Sequence, residues 1–378
     1  MQTGLVALDA TDWSKLHHAF GRATDTPDVL RSFWKNDREG HKNAVSYLWD
    51  VVIHQSTPWT ATAPAALVVA GLVNDQRLEP DLRAKLLAFL VEVVEASSSP
   101  GHSVEELERL AHHDIDALIA SDAEDAIYHD DASKNAFFAR AVLGCASVTP
   151  TLMDSANVAL GDADRRVRAA AADCAVALVK TESLSMHLKE VEAKLLVMAR
   201  SAENDDERCA HILALGELGY PPLEFLTSSS RAVRVCAAMA PALAHDPDAI
   251  NELVDAFNHH TASIDGWFVE QPPQFSLRPR LYVVRHTAER VTDFEQLATG
   301  AVALARTASD WEWGRLLPIA FPDGTGIVRT QSQRQFLSAL VARPDIWNFQ
   351  SAREWFVKAG LPSDREGCAR RVKGASLS

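Results

Sequence analysis

Asp164-Arg-Arg-Val-Arg-Ala-Ala-Ala-Ala-Asp-Cys-Ala-Val-Ala-Leu178 is the stretch on which the fold of this chain turns. At 100° per residue, Val167, Ala170, Ala171, Cys174 and Leu178 fall on one face, the spacing of a helix with a buried side. Similar text returns at Asp206-Glu-Arg-Cys-Ala-His-Ile-Leu-Ala-Leu-Gly-Glu-Leu-Gly219. It returns again at Ser230-Arg-Ala-Val-Arg-Val-Cys-Ala-Ala-Met-Ala-Pro-Ala-Leu243. Offsets of about 40 and about 26 residues bracket a two-helix unit with loops of variable length. Small alanines allow close approach of paired helices, and the Asp or Ser ahead of each helix is placed to cap it. The Arg that follows Val is expected to reach loop carboxylates of a neighbouring unit. Each unit leaves an apolar face that only the next can cover.

Composition agrees. Of 378 residues, 59 are alanine, against 17 Gly, 17 Pro and 4 Tyr, so the best helix former is abundant and the breakers are scarce. An all-β architecture is thereby nearly excluded. A hydrophobic share of 47% with 23% charged residues is that of a globular chain rather than a disordered one. The formal charge is −14, with 37 basic and 51 acidic side chains, which argues against a phosphate-neutralising surface.

Five cysteines, Cys145, Cys174, Cys209, Cys236 and Cys368, include no CxxC pair, and the first four recur at intervals of 29, 35 and 27 residues. Each lies among alanines in helical text, so they read as one core slot refilled in successive units. The alternative is a disulfide or redox role. The first residues carry no basic n-region and no apolar h-region, and the most apolar stretches, 63–73 and 86–94, fall short of the ~18–20 residues that span a bilayer. The expectation is a reduced, cytoplasmic protein with no membrane segment.

The segments at 164–178, 206–219 and 230–243 resemble HEAT repeats, in the short bacterial form related to the PBS-lyase repeat, with an Asp-x-x-Val-Arg-x-x-Ala-Ala second helix. The resemblance is strong over 160–245 and degenerate elsewhere, with a weaker copy at Asn36–Val52 that keeps Ala44, Leu48 and Val51 or Val52. It implies an all-α, right-handed α-solenoid of roughly six to eight helical pairs. Three interruptions suggest boundaries: Ala96–Ser103, Ser263–Arg280 with Pro272, Pro273 and Pro279, and Phe321-Pro-Asp-Gly-Thr-Gly326. The expected regions are therefore 1–95, 104–262 and a capping region 281–378, stacked as one continuous solenoid. The basic run from Arg365 to Lys373 reads as a frayed tail.

The first candidate site is His54-Gln-Ser-Thr-Pro-Trp-Thr-Ala-Thr-Ala-Pro-Ala65. Thr62 and Pro64 suit a helix start, while His54, Gln55, Thr57 and Trp59 put polar and aromatic groups on one loop, where function tends to lie. The segment resembles one near the N-terminus of uncharacterised bacterial HEAT-repeat proteins, a likeness that implies no activity. Structural and binding readings both stand.

Histidine doublets at His17-His18, His112-His113 and His259-His260, with His129-Asp130-Asp131, invite a metal reading. A His-Asp dipeptide in a helical chain resembles the HD phosphohydrolases on that feature alone. Adjacent helical residues point about 100° apart, however, and no His-x-x-x-His or Glu-x-x-His occurs. Nor does the chain contain the His-Glu dipeptides of HEAT-repeat di-iron hydroxylases. No metal and no cofactor is expected.

Nine tryptophans include Trp311 and Trp313, which together with Trp347 and Trp355 crowd the C-terminal third. They either cover the open end of a solenoid or, beside Arg329, Arg334 and Arg343, anchor a peptide or stack bases. The binding candidates are therefore His54, Gln55, Thr57, Trp59, Trp311 and Trp313, with no catalytic residue. The expected function is a non-enzymatic protein-recognition scaffold with a partner in the concave groove. The acidic total favours a basic protein partner and makes nucleic acid an unlikely one. Two alternatives stand beside it, an immunity or inhibitor protein directed at a toxin and an alkylpurine DNA glycosylase of the helical-repeat type.

Overall fold

In the computed structural model, which describes residues 1–98, 101–120 and 129–374, the protein is all-helical: 71% of it is helix. Ser99 and Pro100 of the expected 96–103 linker, and the last four residues of the 281–378 region, lie outside the described residues. The only sheet among the described residues pairs His17–His18 with Gly21–Arg22 in antiparallel register, His17 opposite Arg22. Two compact units divide the chain, Met1–Ser201 and Ala202–Ser378. The division falls within the 104–262 stretch rather than at either linker.

The first unit runs through α1 (Gly4–Ala10), α2 (Thr26–Leu30), α3 (Arg38–Tyr47), α4 (Thr62–Leu72), α5 (Pro80–Glu95), α6 (Val104–Ala111), α7 (Asp116–Ala120), α8 (Asp131–Ala159), α9 (Arg165–Val179) and α10 (Leu188–Ser201). Pair stacks on pair: α4 packs on α8 and α5 on α9. Helix α4 is apolar on every side because it lies among α1, α5 and α8. At its crossing with α1, a methyl on Gly71 would sit 2.4 Å from the Gly4 nitrogen, so only glycine permits the approach.

Helix α8 is longer than either apolar stretch singled out in the sequence. By length and composition it is the one helix among the described residues that could cross a bilayer, yet 56% of its apolar window is buried inside the protein against α4, α5, α6 and α9. It is 29 residues long and carries Pro150, which has no N–H for the Ala146 carbonyl. The neighbouring hydroxyl, Thr149 Oγ1, donates to that carbonyl instead at 2.9 Å, so the helix continues.

The second unit comprises α11 (Asp205–Glu217), α12 (Arg231–Ala238), α13 (Pro247–His260), α14 (Pro279–Arg290), α15 (Ala298–Thr307), α16 (Asp310–Trp313), α17 (Leu317–Ala320), α18 (Gln331–Val341), α19 (Gln350–Lys358) and α20 (Arg365–Lys373). Helices α13, α15, α18 and α20 form a row in which each packs on the next. Phe257, Trp313, Phe336, Trp347 and Phe356 fill the core beside it.

The three repeat-like segments share a local device. Arg168 donates to the carbonyls of Asp162 and Ala163 at 2.8 and 2.9 Å, Arg208 to that of Ala202, and Arg234 to those of Ser228 and Ser229 at 2.9 and 3.4 Å. Each arginine thus folds back six residues onto its own preceding loop, and Arg234 also reaches a carboxylate of the next helix, its Nε lying 3.0 Å from Glu252 of α13. Capping also differs in detail. Asp164 accepts from the Arg166 N–H as expected, whereas Asn204 rather than Asp206 caps α11, and Ser230 makes no side-chain cap bond.

Other arginines terminate helices across the fold: Arg140 on the carbonyls of Ala111 and His113, Arg290 on Met239 and Ala240, Arg343 on Ala308. A guanidinium offers several donors at once to carbonyls that have no intrahelical partner. The basic C-terminal run is not frayed. It forms α20, capped by Asp364, with Cys368 buried and Arg365 donating to the Val341 carbonyl at 2.7 Å. All five cysteines are buried and free, as the core-slot reading requires.

Candidate functional site

The backbone is most unusual in the segment that joins α3 to α4. After Tyr47 the helix widens into a π-turn over Leu48–Val52, the kind of irregularity that recurs at functional sites. A 3-10 turn, His54–Ser56, follows, and within it Gln55 (φ 53°, ψ 43°) and Ser56 (φ 58°) are left-handed. Among the described residues no other non-glycine residue has positive φ. Two adjacent side chains held there cost roughly 1–2 kcal/mol each. The surroundings enforce the shape. Ser56 Oγ donates to Glu92 Oε1 of α5, and the Thr57 N–H donates to the His54 carbonyl at 3.0 Å.

Thr62, expected as a helix cap, instead closes the loop. Its hydroxyl accepts from the Trp59 N–H at 2.8 Å and donates to the Val52 carbonyl at 2.6 Å. His54 Nδ1 donates to the Asp50 carbonyl at 2.8 Å. Gln55 and Thr57 are exposed and His54 is half-buried, so three of the four predicted loop residues share one solvent-facing turn. Trp59 departs from them. Its ring packs edge-on against Phe137 of α8 beside Ile115, and its indole nitrogen is buried with no protein acceptor.

Sequence reasoning missed the element beside this loop. The two-residue hairpin at 17–22 carries Phe20 at its tip, 70% exposed, with its ring edge-on to His54 at 5.4 Å. Backbone bonds hold the hairpin on both sides: Ala19 N–H to the Val51 carbonyl at 3.1 Å, His17 N–H to Thr60 Oγ1 at 2.8 Å, and Ala61 N–H to the His17 carbonyl at 3.0 Å. Within it, His18 Nδ1 accepts from the Phe20 N–H at 3.1 Å while Nε2 faces Asp25 at 3.0 Å. Both ring nitrogens are thereby occupied, and His18 serves as a strut between the hairpin tip and Asp25.

Tyr47 completes this network by donating to Asp25 at 3.0 Å and contacting Thr26 at 2.7 Å. Burial works against the Asp25 charge, but His18 and Tyr47 outweigh it and hold the carboxyl below its usual range. Burial and the same carboxylate push the Tyr47 hydroxyl well up. The only hint of the hairpin in the sequence is an isolated Phe between Ala19 and Gly21, outside any helical face.

The C-terminal tryptophans separate. Trp311 is 68% exposed, whereas Trp313 is fully buried, its ring tilted against Phe356 at 5.6 Å. Trp347 stacks on the same ring at 4.4 Å. Between α13 and α14 the proline-rich stretch is an ordered loop. Buried Asp206 accepts the Val269 and Glu270 N–H groups at 3.1 and 2.9 Å, and Tyr282 accepts from the Ser276 N–H at 3.0 Å.

Among the described residues no three His, Cys, Asp or Glu side chains gather as metal ligands. The histidine-aspartate runs are engaged locally. His112 Nδ1 meets the Glu108 carbonyl at 2.6 Å, Asp116 meets Arg140 at 2.6 Å, and Asp130 caps α8 through the Ala132 and Ser133 N–H groups. Charge is unevenly divided. The first unit has 29 acidic and 19 basic side chains, net −10, and the second 22 and 18, net −4. Comparison with family models, with curated proteins and with solved structures finds no match to this chain.

Proposed function

We propose that this protein is a non-enzymatic recognition scaffold built from HEAT-like helical pairs, and that its acidic first unit engages a basic protein partner through the edge formed by His54, Gln55 and Thr57. The observation that carries this reading is the left-handed Gln55–Ser56 turn. The fold holds an exposed polar loop in a strained shape, fixed from outside the turn by Glu92 and Thr62. A loop fixed before binding loses little conformational freedom on contact. Stacking of the α4/α5 pair on α8/α9, and the thrice-repeated arginine fold-back, support the solenoid part of the reading. Of the net charge of −14, −10 lies in the unit that carries the loop, which favours encounter with cations.

Immobilised protein tests this directly. It retains a specific, basic partner at low salt and releases it at high salt, and Thr57→Arg, which leaves the core untouched, abolishes retention. Equal retention by wild type and Thr57→Arg, or retention no greater than on an unrelated protein of equal charge, rules the reading out.

A further inference from the structure

Beside the proposed recognition loop, Phe20 stands at the tip of a hairpin too short to fold alone. Its backbone is bolted to the π-turn through Val51 and to the approach of α4 through Thr60 and Ala61. The His18 strut fixes the Phe20 N–H from inside the hairpin. A large apolar ring left 70% exposed on so rigid a mount loses little freedom when a partner covers it, the property of an interface anchor.

Acidic residues recur in the network around this ring. Asp25 holds His18, Asp50 gives its carbonyl to His54, and Glu92 holds Ser56. Over 16–26 and 47–60 the only cationic side chain is Arg22. The side chains of Asp25 and Asp50 are exposed.

We infer that Phe20 is the anchor of this surface and that its occupant is a cationic amphipathic helix. An exposed apolar ring on an acidic unit is the complement of an apolar stripe edged by Lys or Arg. The ring beds among the leucine-like side chains of the stripe, and the ammonium groups meet Asp25 and Asp50. This assignment rests on the recognition reading above and names the residue that dominates it.

A dye-labelled, 16-residue Lys/Leu amphipathic peptide is the probe, with an all-Lys peptide of equal charge and a Glu/Leu peptide as controls, all titrated against the full chain by fluorescence anisotropy. Wild type binds the Lys/Leu peptide at least tenfold more tightly than either control. Phe20→Ala weakens it at least tenfold with an unchanged far-ultraviolet spectrum and melting curve, and Asp50→Asn weakens it about threefold at low salt but not at high salt. Binding of the Lys/Leu peptide that survives Phe20→Ala within twofold overturns the anchor and leaves the recognition reading intact. No preference of wild type for either cationic peptide over the Glu/Leu peptide overturns both.

Discussion

Arg83 of α5 and Asp162 in the α8–α9 loop form a bidentate ion pair in the interior of the first unit, with side chains only 3% and 2% exposed. They lie 79 residues apart in the chain. Gln76 Nε2 at 2.9 Å and the Asp164 N–H at 2.8 Å take further lone pairs of the same carboxylate. One aspartate thus ties the α4/α5 pair to the loop that starts α9, while its own carbonyl receives the folded-back Arg168.

Removing one member of such a pair leaves a buried charge uncompensated, at a cost of about 3–5 kcal/mol. Asp162→Ala is therefore expected to lower the urea midpoint of the first unit by that equivalent, and Arg83→Met together with Asp162→Leu to recover most of it. A loss below about 1 kcal/mol in the single variant would contradict the structural role.

Acid sensitivity follows from the same loop. The Arg166 hydrogen bonds hold Asp164 down to about 2 against the opposing effect of burial, and Asp162 is also held below its usual range. Because these folded values lie below the unfolded value of about 3.9, the stabilisation is full above that pH and disappears as pH falls through about 2. Circular dichroism between pH 5 and 1.5 should show a steeper loss for wild type than for Asp164→Asn.

His286 is held neutral although Glu289 lies 3.8 Å from its Nδ1. Burial, then Arg285 and Arg290, lower it to about 4, so the folded protein keeps the ring neutral where the unfolded chain protonates it. Stability is full above about pH 6.5 and declines as pH falls toward 4. His286→Gln should flatten urea midpoints over that interval; an unchanged slope would show that the ring is not held neutral.

Burial raises the thiols of Cys145 and Cys368 to about 12 and those of Cys174 and Cys209 well up. With all five inside the core, native protein should leave a thiol reagent unconsumed at neutral pH, and protein in urea should consume five equivalents. Rapid labelling of any one site under native conditions would place that cysteine outside the core.

Gly71 tests the close crossing of α1 and α4. Alanine favours a helix by about 1 kcal/mol over glycine, so Gly71→Ala would stabilise if the methyl had room. The Gly4 backbone occupies that space, and the expected result is destabilisation. The sign of the change in urea midpoint decides it.

Helical content, the buried face of 164–178 and the interior place of the cysteines were legible in the sequence because a residue's helical face depends only on neighbours three and four positions away. The exposed turn at His54, Gln55 and Thr57 was legible as an irregular polar loop. Its left-handed backbone was not, since Glu92 and Thr62 enforce that shape from outside the turn. Phe20 carried no periodic signal, for its exposure is set by the elements to which its hairpin is bound. Nor could local text part Trp311 from Trp313, which differ only in whether the packed row of helices lies behind them. What the sequence alone determined is that this chain is helical and which faces are apolar, for both follow from local spacing. Tertiary structure decided where the repeated arginines turn, how Arg83 meets Asp162, and which aromatic rings remain in water, because each depends on which distant segments come together.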